Sequence, residues 1–199
     1  MTGPGALRAV AALRRFAAPT DEVTPCDLCG VPLRDEHAHL FEPEPRRVAC
    51  ACTACALVFQ EDTGRYRRLH SRAVRARGVE LAEDDFRALD VPVRLAVLSP
   101  SAVHGCVFAT YPNAGGATEA VVPRTAWDAL SAGQPAVASV RPDLEGLIID
   151  HLGGRKRAFV ASLDLCYRFV GVLRAGGTRA GALGDAMRFL DALDGGGGG

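Results

Sequence analysis

Apolar positions are distributed differently on the two sides of residue 65. Before it they are scattered among prolines, glycines and cysteines; after it they gather into runs. Leu7, Val10, Leu13 and Phe16 fall near helical spacing and predict a short amphipathic helix that ends before Pro19. "PTDEVTP" (19–25) reads as a linker. "HAHLF" and "RRVAC" are strand-like, and the Pro-rich turn "EPEP" between them predicts a hairpin. "LAEDDFRALD" (81–90) predicts a short helix with acidic residues in its first turn. "VRLAVLS" (93–99), "HGCVFATY" (104–111) and "TEAVV" (118–122) read as strands joined by "PSAV" and "PNAGGA". "PRTAWDALSA" (123–132) opens on a proline suited to a helix start. "DLEGLIIDHL" and "KRAFVASL" predict a second hairpin around "GGR" (153–155). Ser162 can cap "LDLCYRFVGVLRA" (163–175), where Leu165, Phe169, Val172 and Leu173 form an apolar stripe, and "ALGDAMRFLDAL" makes a last helix.

Strands on short turns with helices between and after them predict an α+β fold with a mainly antiparallel sheet. The expected organisation is a helix and linker over residues 1–20, a small module over 21–63, an α+β domain over 64–194, and a loose glycine tail over 195–199.

Composition narrows the functional classes. Hydrophobic residues make up 48% of the 199, enough for a core. A formal net charge of +0 supplies no global field toward nucleic acid or an anionic membrane. No run approaches the ~18–20 apolar residues that span a bilayer. At the N-terminus, Arg8, Arg14 and Arg15 fall inside and after the apolar run, the wrong order for a signal peptide. A cytoplasmic, reducing location is therefore expected, where clustered cysteines point to metal or redox chemistry rather than disulfides.

The cysteines carry the strongest chemical signal. Cys26-x2-Cys29 and Cys52-x2-Cys55 are separated by 22 residues. Each C-x2-C turn aims two sulfurs at one point, and two facing turns make a tetrahedron suited to Zn–S bonds of about 2.3 Å. Gly30 can take a positive φ and let the first turn close. The hairpin would bring the second pair back to the first. Residues 26–60 thus resemble a zinc ribbon or rubredoxin-like module, with Zn²⁺ the expected ion and Fe the alternative. The second turn, "CTACA", lacks the glycine that rubredoxins place after each pair.

His37, His39 and Cys50 are surplus metal-capable residues. In strands, His37 and His39 share a face, as do Cys50 and Cys52. Three readings stand side by side: His39 or Cys50 replaces one of the four cysteines, the module holds a two-metal cluster, or Cys50 is a small apolar residue and the histidines are solvated. Arg34, Arg46 and Arg47 are near enough in sequence to offset the charge of a tetrathiolate centre.

Elsewhere the signals are weaker. "RYRRLHSRAVRAR" (65–77) invites a nucleic-acid reading beside a zinc ribbon, but suits a solvated basic face better in a neutral chain. "TYPNAGGATEA" (110–120) has neither a P-loop lysine nor a dinucleotide fingerprint and reads as a turn. Cys106 and Cys166 sit in apolar runs, His104 and His151 at strand ends, and Trp127 on a helix that packs. No catalytic residues emerge, and an enzyme is not the expected class.

"CDLCG", "HAHL", "RRVACACTACALVF", "YPNAGGATEA" and "LDLCYRFVGVLR" occur in an order similar to an uncharacterised bacterial family found in gene neighbourhoods of uptake-type [NiFe] hydrogenases. The resemblance spans about Leu13 to Leu193. It implies an accessory or assembly role for a metalloenzyme, exerted through protein contacts with hydrogenase subunits as partners. A rubredoxin-like electron carrier and a zinc-ribbon nucleic-acid regulator are the rival classes.

Overall fold

A computed structural model describes residues 24–59, 64–176 and 180–195. The helix and linker expected over 1–20 lie outside the described residues, as does the glycine tail beyond Gly195.

The larger sheet has six strands in the order β4-β9-β8-β5-β6-β7, every neighbouring pair antiparallel. They are β4 (Ala73–Arg75), β5 (Leu95–Ser101), β6 (Cys106–Asn113), β7 (Gly116–Val122), β8 (Glu145–Asp150) and β9 (Arg157–Ser162). Every residue of β5, β8 and β9 is buried, which explains their near-continuous apolar runs: helices or other chain cover both faces.

One face carries Ala96, Leu98, Leu147, Ile149 and Val160. It packs on Phe86 of α2 (Glu83–Ala88), on Trp127 and Leu130 of α3 (Arg124–Gly133), and on Val137 of α4 (Pro135–Ala138). The opposite face carries Leu95, Val97, Ile148, Phe159 and Ala161. These meet Phe169 and Leu173 of α5 (Leu163–Gly176) and Ala186 and Leu190 of α6 (Ala180–Gly195). The α5 helix lies close enough that a Cβ added at Gly146 would come 3.0 Å from the Cys166 sulfur and 3.1 Å from the Leu98 carbonyl oxygen. A side chain at 146 would make the helix or the neighbouring strand give by a few tenths of an ångström.

A second, three-stranded sheet has the order β2-β1-β3, formed by β1 (Ala38–Glu42), β2 (Arg47–Ala51) and β3 (Arg67–Leu69). The short helix α1 (Thr53–Val58) follows β2. The two faces of β1 have different neighbours. Leu40 joins Ala51, Ala56 and Cys55 in a small cluster on the cysteine side, while Phe41 and Leu69 join the α5–α6 core. The segment 65–77, expected as a solvated basic face, has no buried arginine and also gives both sheets an edge strand: β3 in the small one, β4 in the large one.

The β1–β2 turn is clamped to the larger sheet by Arg46, which has φ +53°. Its guanidinium stacks 3.5 Å from the Phe108 ring centroid and pairs with Glu119, and its carbonyl accepts a 2.7 Å hydrogen bond from the Tyr167 hydroxyl. Two groups of ion pairs centred on buried carboxylates stitch the remaining elements. Arg157 donates through Nε and Nη2 to Asp150 Oδ2 at 2.9 and 2.7 Å and through Nη1 to Asp191 on α6. Glu145 accepts from Arg72 and Arg141.

No helix among the described residues is long and apolar enough to cross a membrane.

Candidate metal centre

The four sulfurs of Cys26, Cys29, Cys52 and Cys55 lie within 4.8 Å of one another. The backbone explains their convergence. Pro25 and Pro32 form an antiparallel bridge; inside it the Cys26 N–H bonds the Val31 carbonyl and the Gly30 N–H bonds the Cys26 carbonyl, both at 2.8 Å. Gly30 takes φ +75°, as its place after the first pair predicts. The loop is tied to β2 by two hydrogen bonds: Asp27 N–H to the Cys50 carbonyl at 2.9 Å, and Cys50 N–H to the Asp27 carboxylate at 2.6 Å.

The second pair sits at the start of α1. Cys52 is the N-cap residue, and its sulfur accepts from the Cys55 N–H at 3.4 Å. The Cys52 N–H in turn donates to the Cys26 sulfur at 3.3 Å. Cys29 and Cys52 sulfurs are 3.8 Å apart. That is about the edge of a tetrahedron built on Zn–S bonds of ~2.3 Å. Backbone N–H groups aimed at sulfur favour thiolates.

The electrostatics show what four thiols in this space require. Burial pushes the Cys26 thiol up, but N–H donors from Cys52, Leu28 and Cys29 outweigh it and bring it down to about 6. Cys55 is pushed up to about 12, chiefly by its contacts with Cys29 and Cys52 and by burial. The first sulfur ionises readily, and the last resists because negative charge is already near. A cation at the centre removes that conflict. The residues present therefore fit a metal ion: four soft ligands within 4.8 Å of one another, with amide donors to two of the sulfurs. All seven cysteines are free.

The surplus residues collect elsewhere. A ring nitrogen of His37, a ring nitrogen of His39 and the Cys50 sulfur form a second group within 4.8 Å. The expectation that Cys50 and Cys52 share a face fails because β2 ends at Ala51. The chain turns there, so Cys52 joins the other cysteines while Cys50, paired across from His39, stays on the α5 side. Sequence reasoning passed over Asp164, in the first turn of α5. It is almost fully buried, 3.3 Å from His39 Nδ1, and bonded by the Ser71 hydroxyl. An acidic residue there is ordinary for a helix start, so local sequence gives it no other role.

The arginines expected near the cysteine charge are occupied differently. Arg46 clamps the turn as described, and Arg47 pairs with the buried Glu42 at 2.9 Å. In the 65–77 segment, Arg65 pairs with Glu42, Arg72 with Glu145 and Arg75 with Asp194. Arg67 donates instead to the Gly64 and Tyr66 carbonyls.

Other candidates are structural. Ser101 donates to Asp143 at 2.7 Å and lies 3.1 Å from His104 Nδ1, so the serine proton faces the carboxylate rather than the imidazole. Asp143 also accepts from the Ala102 N–H, bracing the β5–β6 turn. Cys166 is fully buried, and burial pushes its thiol up, the reverse of an activated nucleophile. His151 is buried edge-on to Phe86 at 5.6 Å, and burial holds it below the usual histidine range. Trp127 is buried in the core.

No curated protein and no solved structure matches the chain. A family model does, over residues 25–187, which contain both metal-capable groups and the sheet that carries them. The chain belongs to DUF5947, a family of unknown function.

Proposed function

We propose that this protein is a metal-binding accessory factor. Cys26, Cys29, Cys52 and Cys55 hold a Zn²⁺ ion in a zinc-ribbon-like module over residues 21–63, supported by an α+β domain over 64–194. The observation that carries the reading is the convergence of four sulfurs from two C-x2-C turns to within 4.8 Å of one another. The ion locks the Cys26–Cys29 loop to the head of α1, replacing a core that so small a module lacks. The module works by contact with another protein in the cytoplasm. Val31, Leu57 and Val58 support this, since they are exposed apolar residues next in sequence to the ligand turns. The resemblance to a family encoded near [NiFe] hydrogenases makes a metalloenzyme of that kind the proposed partner. The test is metal analysis of protein purified without added zinc, together with co-purification from native cells. One zinc per chain and recovery of hydrogenase subunits are expected; a metal-free chain would overturn the reading.

A rubredoxin-like iron centre is the second reading. It is favoured by the exposure of Cys29, which would give an electron a short path to the surface. A red colour in the oxidised protein would establish it. Nucleic-acid binding draws little support from arginines paired to carboxylates within the fold.

A further inference from the structure

We propose that His37, His39 and Cys50 form a second metal site, separate from the four-cysteine centre and open at one coordination position, for a divalent transition-metal cation. It goes beyond the accessory reading and does not depend on which ion the cysteines hold.

Strand geometry separates the two sites. Ala38 pairs with Ala51 and Leu40 with Ala49 on the cysteine side of the β1–β2 hairpin; His39 pairs with Cys50 on the other side, facing α5. Two side chains directly across an antiparallel pair are the closest neighbours a sheet offers. His37 extends the same row, its ring 4.9 Å from that of His39.

The rings are held as ligands are held. His37 Nδ1 donates to the Arg34 carbonyl at 2.9 Å, which fixes the tautomer and leaves Nε2 as the lone-pair nitrogen. That Nε2 is buried and has no hydrogen-bond partner. A buried polar atom without a partner forfeits the hydrogen bond it had in water, so a ligand is expected to occupy it. His39 Nδ1 faces Asp164 Oδ2 at 3.3 Å, again leaving Nε2 free. Asp164 is fixed by Ser71 and buried, the carboxylate-behind-imidazole arrangement that orients metal-bound histidines. The Cys50 backbone is locked from both sides by its hydrogen bonds with Asp27.

The donor set decides the ligand class. Two imidazoles and one thiolate are of intermediate softness and suit Zn²⁺, Co²⁺, Ni²⁺ or Cu²⁺ rather than Mg²⁺ or Ca²⁺. Three protein ligands leave a fourth position for water or an incoming group, whereas four cysteines close their shell. The cysteine centre is thus built to keep its ion, and the histidine site to exchange one. His39 and Cys50 are both partly exposed, so the site is reachable from solvent.

The test uses the full chain, stripped of metal and titrated with Co²⁺, with bound equivalents counted and thiolate charge-transfer bands recorded. Wild type should bind two equivalents, and a chelator should remove one at least tenfold faster than the other. Cys50→Ser and His37→Gln should each abolish the exchangeable equivalent and leave the tetrathiolate spectrum intact. Asp164→Asn, altering a positioning residue, should weaken the exchangeable equivalent about 10–100-fold. Circular dichroism reports whether each variant folds. A single equivalent with a tetrathiolate spectrum, or a second equivalent unchanged in Cys50→Ser and His37→Gln, would overturn the proposal. A single equivalent with mixed nitrogen–sulfur bands, lost in Cys50→Ser, would sink the four-cysteine reading and uphold this one.

Discussion

Arg46 rests its guanidinium on the ring of Phe108, 62 residues further along the chain, with the two groups 3.5 Å apart. The contact fastens the turn of the small sheet to the face of the large one. Glu119 and the Tyr167 hydroxyl complete it. Replacing Arg46 with Ala removes a partly desolvated cation–π contact and an ion pair. A loss of about 1–3 kcal/mol is expected in denaturant unfolding. Hydrogen exchange should quicken first in β1 and β2, since Ala at 46 leaves the β5–β8 pairing untouched.

Removing the metal should act locally. The Leu40 cluster contains few large side chains and cannot hold the cysteine loops alone. Binding in comparable small modules contributes an apparent ~10–16 kcal/mol at neutral pH. Cys29→Ser, or a strong chelator, is therefore expected to unfold the cysteine loops within residues 21–63 while the six-stranded sheet keeps its exchange protection. Wild-type protection at Cys26–Gly30 and Thr53–Val58 in that variant would show that the ion is not structural.

The Asp150–Arg157 pair tests the large sheet. The two residues stand opposite each other on β8 and β9, and Asp150 is fully buried. Arg157→Leu leaves that carboxylate without its partner and frees Asp191 on α6. The cost should be about 3–5 kcal/mol, the range for breaking a buried pair from one side. Combining it with Asp150→Asn should recover part of the loss in a double-mutant cycle.

Glu145 sets a pH dependence. Burial alone would raise its pKa, but hydrogen bonds from Arg141 and Arg72 outweigh it and hold the carboxyl below its usual value. A folded-state pKa below the unfolded one adds stability that is present above about pH 4.3 and is lost as pH falls through the folded value. Glu145→Gln should therefore be less stable than wild type at pH 7, and the gap should narrow steadily below pH 4.5. Equal gaps at pH 7 and pH 3 in urea unfolding would contradict this assignment.

Much of this architecture is legible in the chain because the period of apolar residues is local information. β5, β8, β9 and α5 announce themselves through long runs or stripes, and the two C-x2-C turns through spacing alone. β3 and β4 do not. They are three residues long, rich in arginine, and become strands only because β1 and β9 offer open edges. The place of Cys50 depends on where β2 stops, which the sequence does not mark. Strand alternation holds only to Ala51, and Cys52 has already left the strand to cap α1. Asp164 approaches His39 only through tertiary packing across 125 residues, which no local pattern encodes.

The residues from Arg67 to Arg75 have a consequence for how this protein can be taken apart. One stretch closes the small sheet and the next opens the large one, so a peptide excised after residue 63 would carry β1 with a bare edge. Such an edge pairs readily with another copy of itself. Grafting the cysteine loops onto a foreign scaffold would therefore require the transplant to run through Leu69, and a shorter graft would assemble into dimers or aggregate.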